Sequence, residues 1–156
     1  MTRRMLIGLS LCSASGALPC LLAAVRGDEA MYVGGTVADI PDNTKGSFDL
    51  SRESEAVFTS KKGSFSVPYS SITSLEYGQK AGRRVGVALA VNPLFLFSKK
   101  RRHFLTIGFK DSAGKPQGAV LELAKGTVRP VVTALEAKTG KQVEYESEAA
   151  RQHPGN

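Results

Sequence analysis

The periodicity of the apolar residues changes once along this chain, and that change most constrains its fold. Between residues 46 and 125, apolar and polar residues alternate with a period of two in short segments, and turn residues separate the segments. This alternation is typical of antiparallel strands with one buried face. The segments are 46–50, 55–60, 64–70, 72–78, 103–111 and 117–125. We predict a strand over each, and a hairpin between the last two.

From residue 127 the period becomes 3.6, which predicts a helix. Four apolar residues follow the spacing i, i+3, i+4, i+7 and form one stripe: Val128, Val131, Val132 and Leu135. Thr127 suits the N-cap, and Gly140 suits the left-handed residue that often follows a helix. We therefore predict an amphipathic helix over 127–139 with one face to bury.

The two ends of the chain show weaker patterns. Residues 28–45 are predicted as an N-terminal extension that contributes an edge strand at most, and 141–147 as a last short strand. Residues 148–156 are predicted as a flexible tail. The fold class is mainly β with one C-terminal helix. Six to seven antiparallel strands over 46–147 would form a small β-sandwich or half-open barrel, which the helix caps.

Two stretches of this domain resemble known proteins. The order of the predicted elements resembles the pleckstrin-homology-like superfold, and "VPYSSITSLEYG" (67–78) is similar to a segment of its GRAM-like β domains. Together with "LFSKKRRHFLTIGFKD" (96–111), this stretch also resembles a group of small exported bacterial proteins. The resemblance implies two bent antiparallel sheets with a C-terminal helix. It implies no particular ligand, because this superfold hosts phosphoinositide binding, peptide binding and scaffolding.

Residues 1–27 have the layout of a secretory signal peptide. A basic start is followed by an apolar stretch from Met5 to about Val25 that ends in small residues. Cleavage after Ala24 and cleavage after Gly27 both fit, and an uncleaved anchor is the alternative. We expect an exported protein, periplasmic or extracellular.

Both cysteines, Cys12 and Cys20, lie in that first segment. The remainder, 28–156, therefore offers no disulfide, no thiolate nucleophile and no cysteine ligand for a metal. Its stability must come from an apolar core.

The segment 80–102 concentrates the positive charge. It contains seven Lys and Arg residues and no acid, whereas the chain as a whole carries 21 basic and 14 acidic side chains. Inside it, Val85–Phe97 is an apolar insert of thirteen uncharged residues, and Asn92-Pro93 in its middle predicts the tip of a hairpin.

Three interpretations of this hairpin remain open. In the first, the hairpin is buried against the sheet. In the second, it docks a protein partner or a second copy of the chain, and in the third it contacts a membrane surface. In the membrane interpretation, cations attract anionic lipid and apolar side chains enter the acyl boundary. The predicted contact residues are Arg83, Arg84, Leu94, Phe95, Leu96, Phe97, Lys99, Lys100, Arg101 and Arg102.

Catalytic and cofactor motifs are missing from the sequence. The two histidines, His103 and His153, have no metal-ligand spacing, and "DIPDN" (39–43) predicts a turn. No Walker, dinucleotide or nucleophile-elbow motif occurs. Nucleic-acid binding is disfavoured by the predicted export and by the lack of aromatic residues among the cations. We expect a non-enzymatic binding or scaffolding module without metal or cofactor, whose partner is an anionic lipid surface or an envelope protein.

Overall fold

The computed structural model describes residues 26–79 and 102–152, which form one sheet and two helices. The strands are β1 Arg26–Gly35, β2 Thr44–Asp49, β3 Glu55–Ser60, β4 Gly63–Pro68, β5 Ile72–Gly78, β6 His103–Lys110, β7 Pro116–Leu123 and β8 Glu144–Tyr145. The helices are α1 Val128–Thr139 and α2 Glu148–Gln152. Residues 1–25 of the predicted signal peptide (1–27) and the whole apolar insert 85–97 lie outside the described residues.

The described strands form a single open sheet in the order β4-β3-β2-β1-β7-β6-β5-β8. Neighbours are antiparallel, except that β8 runs parallel to β5. The mainly-β class with a C-terminal helix is confirmed. The count of six to seven antiparallel strands is too low, because β1 is a full strand and β8 adds a two-residue parallel edge.

The sheet is strongly curled, as one short connection requires. β4 is one edge of the sheet and β5 lies next to the other edge, six strand spacings away, or roughly 29 Å in a flat sheet. Only a single 3-10 turn, Tyr69–Ser71, joins them, and a connection of that length reaches about 14 Å at most. The sheet therefore bends until its far strands approach each other, with a concave inner face and a convex outer face.

The main core fills the concave face. It joins inward residues from both halves of the sheet, such as Phe58 on β3 and Leu105 on β6, to the predicted stripe of α1. All four stripe residues are buried, so that prediction is confirmed. The helix is also held by Lys138, whose Nζ donates to the Arg52 carbonyl at 2.7 Å and lies 5.1 Å from the centre of the Tyr69 ring.

The ends of α1 agree with the sequence in part. Gly140 has φ 68°, and its N–H donates to the Glu136 carbonyl, which closes the helix in the predicted way. Thr127 precedes the helix, but its hydroxyl donates backwards to the Ala124 carbonyl at 2.8 Å and caps no helical N–H. The predicted tail also differs, because α2 forms there and buries Ala150 in the main core.

The position of β1 contradicts the edge strand expected within 28–45. β1 lies inside the sheet, paired with β2 on one side and β7 on the other. Its register shifts between Gly27 and Ala30 and again between Tyr32 and Gly34. Each shift interrupts the period-2 alternation, and both faces of β1 are buried, because Tyr32 lies in the main core and Val33 in a separate apolar cluster. Because the pattern of a half-buried strand is lost, the sequence showed only a weak signal.

Candidate contact surface on the outer face of the sheet

Arg102 is the one predicted contact residue within the described part of the chain. It directly precedes β6, and its Nη1 donates to Oε2 of Glu122 on β7 at 2.9 Å. Both side chains are partly exposed, so solvent screens this ion pair and it adds little to stability. The other nine lie outside the described residues: Arg83, Arg84, Leu94, Phe95, Leu96, Phe97, Lys99, Lys100 and Arg101.

The strand register joins Arg102 to further charged residues on the convex face. Met31 on β1 pairs with Lys45 on β2 and, on its other side, with Glu122 on β7. Lys61 follows β3 directly, beside Lys45. Residues that are far apart in the sequence therefore lie in one row across the sheet.

These residues line a groove of about 970 Å³, which we call the outer groove. Its charged and apolar side chains include Glu29, Met31, Lys45, Lys61, Arg102 and Glu122. Three cations stand against two acids, and Glu122 is already paired with Arg102. Lys45 and Lys61 are exposed. A groove with an apolar floor and exposed cations at its rim suits an anionic group carried on an apolar body.

A second apolar cluster continues the floor of the groove towards the middle of the convex face. We call it the outer patch, and it consists of Met31, Val33, Phe104 and Val120. It is separate from the main core on the concave face. Thr106 and Glu76, which pair with each other across β6 and β5, are buried on the same convex face.

A buried tyrosine–histidine pair lies at the same end of the sheet, on the concave side. Tyr77 Oη and His103 Nδ1 are joined by a hydrogen bond of 2.7 Å, and their rings are nearly parallel with centroids 6.2 Å apart. Tyr145 packs edge-on against Tyr77. Burial lowers the pKa of His103, and the positive charge of Lys125 lowers it further. His103 is therefore neutral at pH 7 and belongs to the core, although its neighbours in the sequence are cations.

A second groove, of about 790 Å³, lies between the end of α1 and α2. Acidic and basic side chains line it together, among them Glu136, Lys141, Glu148 and Arg151. Across 26–79 and 102–152, no three His, Cys, Asp or Glu side chains come together as a metal site. No helix within those ranges is long and apolar enough to cross a membrane.

Sequence reasoning missed Lys45, Lys61 and the Tyr77–His103 pair. The two lysines occupy outward positions in ordinary strand segments, and only the register of β1 to β3 brings them beside Arg102. No local pattern links Tyr77 to His103, because they lie 26 positions apart in the chain.

No protein-family model matches this chain, and no curated protein matches it either.

Proposed function

We propose that this protein is a non-enzymatic exported binding module that associates with an anionic envelope surface through the cations around the outer groove. One observation carries the proposal. Lys45 and Lys61 line the same groove as Arg102, which is the last residue of the seven-cation segment 80–102. Positive charge from β2 and from the residue directly after β3 thus lies in the same groove as the end of that segment.

The proposal rests on electrostatic attraction. Each Lys or Arg near an anionic membrane surface contributes about 1 kcal/mol of binding free energy. Exposed charges are screened over about 8 Å at physiological ionic strength, so binding must weaken as salt rises. The residues predicted as an anchor, Leu94–Phe97, are not required for this electrostatic contact.

The proposal also retains the pleckstrin-homology-like type of fold. Its support is the curled sheet whose concave side is covered by a C-terminal helix, in the element order that the resemblance implies. The two-residue parallel strand β8 and the interior position of β1 are additions to that pattern.

Vesicle flotation with matched variants tests the proposed surface. Protein recovered from an expression host is mixed with neutral or anionic vesicles at low and high salt. Lys45→Gln with Lys61→Gln removes two cations from the groove. Lys110→Gln with Lys115→Gln removes two at the β6–β7 turn, at the opposite end of the sheet. The first pair should weaken anionic-vesicle binding by about thirtyfold, and the second should leave it near the wild-type value.

Two results would contradict the proposal. Equal losses in both double variants would mean that only net charge matters and that the groove is not the contact. Folded protein that floats with neither type of vesicle would exclude the lipid surface and favour the alternative, a protein partner that docks on the same face.

Export is proposed together with a cleavage site. β1 begins at Arg26, and its residues Arg26 and Gly27 pair with Asp49 and Phe48. Cleavage after Ala24 leaves β1 whole, whereas cleavage after Gly27 removes those two pairs. We therefore favour Ala24. The intact mass of the secreted protein tests this choice, and a chain that begins at Asp28 or retains Met1 would refute it.

A further inference from the structure

Strand β4 is an edge of the sheet without the usual protection against further pairing. Its partner on one side is β3, and no other described strand or helix runs along it. Edges are commonly blunted by charged side chains, by a short strand or by proline within the strand. Gly63–Pro68 is six residues long, carries no charge and has its proline only at the end. The opposite edge, β8, is two residues long. β4 is therefore the edge that is open to another strand.

We infer that β4 pairs with β4 of a second copy, antiparallel about a two-fold axis, so that one sheet continues through a dimer. A two-fold axis brings a strand against itself in the reverse direction, which requires the strand to be self-complementary. The register that fits best has Phe65 on the axis, opposite its symmetry mate. Ser64 of each copy then lies opposite Ser66 of the other, and β4 brings no charge into the contact.

The environment of Phe65 supports this register. Its ring packs against the main core but is only partly buried. Phe58 of β3 stacks on it, with ring centroids 5.4 Å apart. Among the described strands, none lies on the other side of Phe65, because β4 ends the sheet. In the dimer the two Phe65 side chains are neighbours on the concave face, and aromatic pairs across strands stabilise a sheet.

Charge complementarity beside β4 favours a second copy over an unrelated strand. Lys62 directly precedes β4 and lies opposite Pro68 of the other copy in this register. Pro68 pairs in turn with Glu55 on β3. Lys62 is thus in line with the second copy's Glu55, two strand spacings or about 10 Å away between Cα atoms. Glu55 already pairs with Arg52 of its own chain, and Lys62 adds a second cation. The two-fold axis makes this contact occur twice.

The dimer also bears on the outer groove. Paired strands share the two faces of one sheet, so the adjoining convex faces of both copies point to the same side. Lys45 and Lys61 of both copies then face one surface, and two linked contacts bind such a surface more tightly than one. This consequence rests on the proposed function, whereas the dimer itself does not.

Sedimentation velocity over a dilution series tests the dimer, with the secreted protein in buffer without lipid. Wild type should shift from monomer to dimer as its concentration rises. Ser64→Lys/Ser66→Lys places like charges opposite each other twice and should remain monomeric. Ser64→Glu/Ser66→Lys places opposite charges there and should dimerise at least as strongly as wild type. Both positions are exposed, and both variants lose the hydrogen bond between Ser66 and Glu55, so the comparison isolates the charge at residue 64.

Three results would overturn the inference. The first is a wild type that stays monomeric at its highest concentration. The second is a dimer that persists or disappears equally in both double variants, since another surface or another register would then be the contact. The third is growth beyond a dimer, because a two-fold edge contact closes on itself.

Circular dichroism checks that the variants are folded. Should either double variant fail to fold, Lys62→Glu in the turn before β4 decides. It should weaken the dimer, whereas Lys115→Glu, the same change of charge in the β6–β7 turn, should not. Equal effects of these two substitutions would refute the pairing through β4. Vesicle binding and dimerisation are measured separately, so either proposal can fail alone.

Discussion

Tyr77→Phe should lower the free energy of unfolding, because the hydroxyl that it removes is hydrogen-bonded to the buried side chain of His103. Tyr77→Phe keeps the ring that packs between His103 and Tyr145 and deletes the hydroxyl that makes the 2.7 Å hydrogen bond to His103 Nδ1. Both side chains are buried, and His103 would keep a polar nitrogen in the core without this partner. Leaving such a group unsatisfied costs about 1–3 kcal/mol.

A double-mutant cycle separates the hydrogen bond from general packing. His103→Leu removes the other partner, and the double variant Tyr77→Phe/His103→Leu leaves neither polar group behind. Its destabilisation should be smaller than the sum of the two single effects, by roughly 1 kcal/mol or more. Urea unfolding followed by circular dichroism measures all four proteins.

Tyr145→Phe is the matched control. Tyr145 is half-buried in the same cluster, and its hydroxyl makes no hydrogen bond among the described residues. It should change the free energy of unfolding by less than about 0.5 kcal/mol. If Tyr77→Phe costs no more than this control, or if the cycle is additive, the hydrogen bond of the buried pair does not stabilise the fold.

The buried histidine of the Tyr77–His103 pair also predicts how the stability of the fold changes with pH. Burial lowers the folded-state pKa of His103 below its ordinary value of 6.5, so the unfolded chain takes up a proton first as the pH falls. The stability contribution is complete above pH 6.5 and is lost as the pH falls from there towards the lowered folded-state pKa. Wild type should therefore lose more stability than His103→Leu on acidification through this range. Equal losses of unfolding free energy in wild type and His103→Leu over this pH range would contradict this prediction.

Two further predictions concern turns. Gly140→Ala should lower the free energy of unfolding by about 1 kcal/mol, because φ is 68° there. Gly126→Ala is the control and should change it by nothing measurable, since no atom lies within 4 Å of the added Cβ. Equal unfolding midpoints of the two variants in urea would refute this. Asp111→Asn should destabilise the β6–β7 turn at neutral pH, since the Asp111 carboxylate accepts hydrogen bonds from Gln117, Lys115 and Ala113 that lower its pKa. That stability is present above the ordinary pKa of 3.8 and is lost as the pH falls through the lowered value. The unfolding free energies of the variant and of wild type should therefore converge in acid, and a difference that stays constant with pH would contradict this.

Much of the fold could be predicted because its signals are local. The hairpin of β6 and β7 alternates clearly, and the structure pairs Leu105 with Leu121 and Ile107 with Ala119 as that alternation requires. Proline cannot donate to the ladder of an interior strand, and Pro68 accordingly ends β4, the edge strand. The stripe of α1 follows directly from the spacing of its apolar residues.

The candidate site could be predicted only in part. The cations of 80–102 are contiguous in the sequence, so a basic contact surface was visible there. Lys45 and Lys61 join it through the pairing of three strands. Likewise, nothing near His103 in the chain indicates that Tyr77 is its partner or that it is neutral and buried.

Local residue patterns are enough to locate the alternating segments, the turns and the helix of this chain, because those properties depend on residues close together in the sequence. Which strands are neighbours, how far the sheet curls and which residues of β1 are buried depend on contacts between distant segments. Register and curvature are set by pairing between distant segments, and two bulges erased the alternation that would have shown β1 as an interior strand. The outer groove and the outer patch exist only because of that pairing.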